Sequence, residues 1–266
     1  MAKMNSGFTF LGTIGNISAY KMRGNDSIIL RTKGGASRQK VKNDSEFENT
    51  RRVNMEFGGR STAAKRIKDM MKPIVNQTDL NLISSVNKLL GPIQTMDTTG
   101  EWGRRSINLS GNPRLLSGFS FNKKNLFDSV VRSTVNYQLN RTLLNATVDI
   151  PALLPGINFF VPWSYPLFGF QVALGVVPDM FYDSTRNKYI APPGYDDFKP
   201  QVTETSWFAV EGGMPDTSLT LNFPSPPPDQ SFILLLSIGI RYGKPGASGQ
   251  VEQIPYAGSG RILSAV

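Results

Sequence analysis

Ser85-Val86-Asn87-Lys88 has the S-x-x-K spacing in which a lysine can act as base for a serine nucleophile. The partner motifs S-D-N and K-T-G are missing, so Ser85 is expected to be an ordinary helix-surface residue. Asp196, Asp197, Glu204 and Glu211 are the carboxylates that could supply glycosidase-type acid and base. Adjacent strand residues point to opposite faces, which places Asp196 and Asp197 poorly for a shared substrate. Asp179 and Asp183 flank Met180-Phe181-Tyr182 and could hold a hard cation, but no calcium-loop pattern surrounds them. Solvated turn positions are the expectation for both carboxylate sets. The run from Gly58 to Lys65 lacks the G-x-x-x-x-G-K-[ST] order of a phosphate loop, and a helix break capped by Ser61 explains it more simply.

Two absences narrow the chemistry further. The 266 residues include no Cys and no His. Disulfides, thiolate metal sites, cysteine nucleophiles and imidazole bases are therefore excluded, and with them the Ser-His-Asp and Cys-His hydrolases and the usual zinc enzymes. No catalytic residue, metal, cofactor or small-molecule substrate is evident, and a non-enzymatic protein is expected. An apolar share of 39% and a charged share of 18% read as globular.

Charge is distributed unevenly. Residues 1–150 hold 23 Lys+Arg against 11 Asp+Glu, a balance of +12, while residues 151–266 hold 6 against 9, a balance of −3. The candidate anion- or partner-binding residues are Lys21, Arg23, Arg31, Lys33, Arg38, Lys40, Lys42, Arg51 and Arg52, and the basic series continues through Lys65, Arg66, Lys68 and Lys72. A phosphate backbone would need such a field, although Asp44, Glu46, Glu48 and Glu56 dilute it and aromatic interleaving is thin. The second unusual feature is the uncharged run 150–178, which Pro151, Pro155, Pro162 and Pro166 prevent from being a membrane helix. Its aromatics Phe159, Phe160, Trp163 and Tyr165 form a candidate assembly interface, the competing reading being a connection that lines the core. No cleavable signal peptide is recognised, and a soluble chain is expected.

The elements that must carry these residues follow from periodicity. Phe8, Phe10, Ile14, Ile17 and Ala19 alternate or nearly so, and Gly24-Asn25-Asp26 is turn chemistry before Ile28 to Arg31, so a hairpin opens the chain. Ser45-x-x-Glu48 starts a helix that Gly58-Gly59 interrupts; Ala63, Ala64, Ile67, Met70 and Met71 predict a second, and Asp79 to Leu90 a third stopped by Gly91-Pro92. From about Arg114 the period becomes two, through Val135 to Leu139, Ala146 to Ile150, Phe168 to Val176, Leu219 to Phe223 and Phe232 to Tyr242. The fold class is α+β, a basic hairpin-and-helix module at residues 1–100 followed by an antiparallel β-sandwich at residues 101–266.

Gly12-Thr13-Ile14-Gly15-Asn16, Tyr20-Lys21-x-Arg23-Gly24, Ile29-x-Arg31, Arg51-Arg52 and Phe57 give the N-terminus its character. In these residues, over 7–72, it resembles a family of uncharacterised bacterial proteins with no assigned activity. The resemblance implies a glycine-rich hairpin, a helical segment and a β-sandwich-like C-terminal half, carries no catalytic residue, and favours a non-enzymatic role. The expected function is a structural protein that self-associates into a filament, shell or surface-type oligomer. The alternative is nucleic-acid binding through the basic N-terminal module.

Overall fold

Side chains of a strand alternate between its two faces, and two long central strands of this protein are apolar on both. They are β7 (Leu167–Pro178) and β13 (Phe232–Pro245), buried almost throughout and paired antiparallel with Leu236 opposite Leu174 and Ile240 opposite Phe170. Their even-numbered residues, Phe168, Phe170, Val172 and Leu174 with Leu234, Leu236, Ile238 and Ile240, fill one core. The odd-numbered Ala173, Val177, Ile233 and Leu235 fill another on the opposite face. The fold is α+β, and two cores on one sheet give residues 52–266 three layers.

The computed structural model describes residues 2–4, 10–22, 27–32, 34–75, 77, 82–247 and 249–266. Phe8, Arg23, the Gly24-Asn25-Asp26 turn, Lys33 and Asp79 lie outside the described residues. The chain divides into two units, Met1–Arg51 and Arg52–Val266. In the first, β1 (Ala2–Met4), β2 (Gly12–Ile14), β3 (Ile17–Lys21) and β4 (Ile28–Thr32) form an antiparallel sheet in the order β1-β4-β3-β2. Ile14 pairs with Ile17 across a two-residue turn that Gly15 opens at φ +55°. The short helix α1 (Arg38–Asn43) follows, with Ser37 accepting a hydrogen bond from the Lys40 N–H at its N-cap.

The second unit holds most of α2 (Glu48–Met70), then α3 (Lys72–Val75), α4 (Leu82–Thr95) and a short α5 (Phe127–Val130). Strands β5 (Asn136–Asn140) and β6 (Asn145–Ile150) form a hairpin that β12 (Thr217–Asn222) extends to the order β12-β6-β5. Ala146, Val148, Leu219 and Leu221 of this small sheet meet the even-numbered face of β7 and β13, which completes a β-sandwich. The larger sheet runs β10-β7-β13-β14, with β10 (Gln201–Glu204), β14 (Val251–Ala265) and a two-residue β11 (Phe208–Ala209) on β7. A separate hairpin joins β8 (Phe181–Asp183) to β9 (Lys188–Ile190). All these strand pairs are antiparallel.

Helices cover the odd-numbered face. Ala63, Ala64, Ile67 and Met71, then Ile74, then Leu82, Val86, Leu90 and Ile93, are all fully or nearly fully buried against it. A division between residues 100 and 101 was expected, but the helices share a core with the strands and belong to their unit. The expected break at Gly58-Gly59 is also absent, and α2 runs through it. Ser61 does not cap; its hydroxyl donates to the Phe57 carbonyl one turn back. Glycine weakens a helix by only about 1 kcal/mol, less than burial of Ile67 returns. Likewise α4 continues past Pro92 to Thr95. Gly91 has no Cβ to clash with the proline ring, and Ile93 beyond it is core. Among the described residues no helix is long and apolar enough to cross a membrane.

The two glycines of α2 differ in surroundings. A Cβ on Gly58 meets nothing within 4 Å, whereas one on Gly59 would lie 2.7 Å from ring carbons of Tyr189. That ring cannot easily retreat, because its hydroxyl donates to the Arg105 carbonyl and accepts from Gln94. Gly58→Ala should therefore raise stability by about 0.5–1 kcal/mol, and Gly59→Ala should lower it by about 1–3 kcal/mol. Urea midpoints at unchanged slope measure both, and equal stabilisation by the two substitutions would show that Tyr189 does not press on α2.

Candidate functional site

The aromatics of the Pro-rich run separate into core and surface. Phe159 is buried, its ring centroid 4.5 Å from that of Phe168, so it belongs to the sandwich core and not to a free interface. Phe160 is half-buried beneath the Arg132 guanidinium, 3.7 Å from its ring centroid. Trp163 is exposed and begins a row of rings that continues through half-buried Tyr165 to buried Tyr242, with Tyr165 and Tyr242 5.2 Å apart. Only Phe160, Trp163 and Tyr165 present surface.

The basic candidates are scattered. Lys21 lies opposite Ile28 and Arg31 opposite Ser18 on adjacent strands, a register that sends the two side chains to opposite faces of the N-terminal sheet. Lys40 lies within 4 Å of Asp44 and Glu46, at 3.9 and 3.8 Å. Arg51 donates to the carbonyls of Val41 and Asp44 at 2.9 and 2.7 Å, ties off the C-terminus of α1, and so serves the fold. Arg52 lies over the Trp102 ring, 5.5 Å from its centroid. Arg38 and Lys42 share an open depression on α1 with Ser37, Gln39 and Asn43.

The other motifs acquire partners that explain them. Ser85 and Lys88 line one apolar groove with Leu82, Leu89, Phe119 and Phe121, but Lys88 is exposed and no hydrogen bond joins it to Ser85 among the described residues. Asp196 accepts from Arg66 at 2.7 Å, and Glu204 accepts from Arg241 at 2.7 Å and from Gln171 at 2.9 Å. Asp179 is buried rather than solvated, and accepts from the Ser110 N–H and hydroxyl; burial raises its pKa even against those bonds. Asp183 caps the turn through the N–H groups of Thr185 and Arg186. No group of three potential metal ligands occurs among the described residues.

One polar assembly escaped the reading of the sequence. Glu56 of α2 is buried and accepts both Nε and Nη2 of Arg105, at 2.7 and 2.8 Å, and the Gly103 N–H at 2.9 Å. Beside it Arg60 donates to Asn87 and Gln94 of α4, and Gln94 donates to the Arg105 carbonyl and to Tyr189. Asp97 accepts the N–H groups of Thr99, Gly100 and Ser106 and the Thr99 hydroxyl. The cluster clamps the loop 97–106 to α2 and α4, and its acceptors are occupied by the protein itself. Burial works against ionisation of both carboxylates, but the Arg105 fork and the Gly103 amide outweigh it at Glu56, and the Thr99 hydroxyl and three amides hold Asp97 far below the usual carboxylate range. Asn87 and Gln94, seven residues apart within the apolar stripe of α4, were the available signal.

Comparison with protein-family models, with curated proteins and with solved structures gives no match.

Two outcomes follow from this geometry. Because the pKa values of Glu56 and Asp97 are lowered, their contribution is complete above the unfolded-state pKa near about 4 and is lost as pH falls below it. The urea midpoint should fall steeply between about pH 5 and pH 2, and Asp97→Asn should lower it at neutral pH and flatten that slope. Phe159→Ala should cost about 3–5 kcal/mol, while Trp163→Ala, which leaves the core intact, should cost less than half as much. A Trp163→Ala variant as unstable as Phe159→Ala would place the whole run in the core.

Proposed function

We propose that this chain is a non-enzymatic structural protein that associates with copies of itself, and that its N-terminal sheet is completed by a neighbouring copy. One observation carries the reading. Among the described residues of Met1–Arg51 only Ala19, Ile28 and Ile29 are buried, and both hydrophobic cores are built from residues of Arg52–Val266. Ile14 and Ile17, 60% and 44% exposed, share one face of the small sheet, and exposed Tyr20 lies on the other. A short-stranded sheet needs a second layer to be stable, and exposed apolar groups on both faces are what a second copy would cover. The half-exposed ring row from Trp163 to Tyr165 offers a second contact, and the opposite charge balances of the two halves favour a head-to-tail arrangement, which closes a ring or grows a filament. The non-enzymatic reading draws support from candidate carboxylates engaged by Arg66, Arg241 and Ser110.

Light scattering and negative-stain microscopy of the full chain at low and high salt test the proposal. Ile14→Asp/Ile17→Asp removes two apolar contacts worth roughly 3 kcal/mol together, so association should weaken by about a hundredfold or more while the circular dichroism of the second unit is unchanged. A wild-type chain that remains monomeric at high micromolar concentration and low salt sinks the reading. Nucleic-acid binding at the N-terminal module would show instead as a probe shift that weakens linearly in log salt.

A further inference from the structure

The flank of α2 forms one wall of a cleft. Thr62, Lys65, Arg66 and Asp69 follow the i, i+3, i+4, i+7 spacing of a single helix face, beside the buried stripe of Ala63 and Ile67, and Lys72 and Pro73 of α3 extend it. The opposite wall is the connection from β9 to β10, with Tyr195, Phe198 and Lys199. The cleft holds about 810 Å³, within the range of about 300–1,000 Å³ typical of small-ligand sites. Arg66 and Asp196 join the two walls at 2.7 Å.

Its charges do not balance. Four cations, Lys65, Arg66, Lys72 and Lys199, line it with two carboxylates, Asp69 and Asp196, and Asp196 is already taken by Arg66. Among the described residues Lys65, Lys72 and Lys199 make no ion pair within 4 Å. Like charges gathered in a concave surface repel one another and focus a positive potential, which an anion would relieve. The rest of the lining is largely apolar, with Tyr195 and Phe198 beside Met70, Pro73 and Pro200. Phe198 is half-buried, and Tyr195 and Phe223 back its ring at 5.9 and 6.1 Å between centroids. Tyr195 is fixed in turn by donating to the Asp229 carboxylate at 2.7 Å. A flat ring held in place in a cleft that three unpaired ammonium groups also line offers a base a surface to stack on while its phosphate meets the cations.

We infer that this cleft binds a nucleotide, its phosphates met by Lys65, Lys72 and Lys199 and its base stacked on Phe198. The inference stands independently of self-association. The shared chemistry is a phosphate next to a heteroaromatic ring, whether free or as one unit of a single strand. The earlier basic candidates Lys21 and Arg31 have no part in it.

Isothermal titration calorimetry of the full chain at low salt, with ATP, tripolyphosphate and a ten-residue oligothymidylate, tests it. ATP should bind at one site, and tripolyphosphate, which has the charge without the ring, at least about fivefold more weakly. Lys65→Glu and Lys199→Glu change exposed side chains and should each weaken ATP about tenfold or more. Phe198→Leu keeps an apolar wall and should bring ATP down to the affinity of tripolyphosphate. Tighter competing binding of the oligothymidylate identifies a single strand as the source, and tighter ATP a free nucleotide. The inference is overturned if ATP does not bind up to about 1 mM, if tripolyphosphate binds as tightly as ATP, or if folded Lys65→Glu and Lys199→Glu chains bind ATP unchanged.

Discussion

The close approach of α2 and α3 to the large sheet is the constraint on which the second unit depends. It is possible because that sheet carries glycines where the helices come nearest. A Cβ on Gly175 would meet the Met70 side chain at 2.5 Å, one on Gly239 would meet Ile74 at 2.5 Å, and one on Gly260 would meet Ile74 at 2.8 Å. Ala173 and Ser237, paired across β7 and β13, continue the same shallow surface. The opposite face of the same strands carries Phe168, Phe170, Leu236 and Ile240, which reach across to the small sheet. Glycine, alanine and serine where the helices approach, and large side chains across the opposite face, set the two layer spacings, and the packing density of protein interiors leaves little freedom to exchange them.

Once α2 is held in that position, polar groups secure what it touches. Its buried face offers Glu56 to Arg105 and Gly103, and its Arg60 to Asn87 and Gln94 of α4. At the far end of the helices Gln77 donates to Gln171 of β7 at 2.5 Å, and Asn122 donates to the carbonyls of Gln77 and Gly258 while accepting the Gly260 N–H. Groups engaged in this way rigidify an interface. The exposed flank of α2 with Lys65, continued by Lys72 of α3, is where unpaired charge remains.

The two units differ in how they meet the hydrophobic requirement. The second has two cores on the long apolar strands β7 and β13. The first has four short strands and three buried apolar side chains among its described residues. Self-association is proposed because Ile14, Ile17 and Tyr20 of that sheet are exposed and a partner would cover them.

Periodicity is a local property, and what depended on it was legible in the sequence. The alternation from Phe168 to Val176 and from Phe232 to Tyr242, the apolar stripe of Ala63, Ala64 and Ile67, and the concentration of cations before residue 72 all came from neighbours within a turn or a few strand residues. Gly58-Gly59 misled because glycine carries a small penalty that burial of Ile67 overrides, and Gly91-Pro92 because glycine relieves the clash with the proline ring and Ile93 beyond it is core. The pairs that define the clamp and the cleft were beyond reach for a different reason. Glu56 meets Arg105 across 49 residues and Arg66 meets Asp196 across 130, and nothing in either neighbourhood marks the other. Which face of a basic helix stays open, and which aromatics of a Pro-rich run turn inward, is decided only when distant segments compete for the same buried surface.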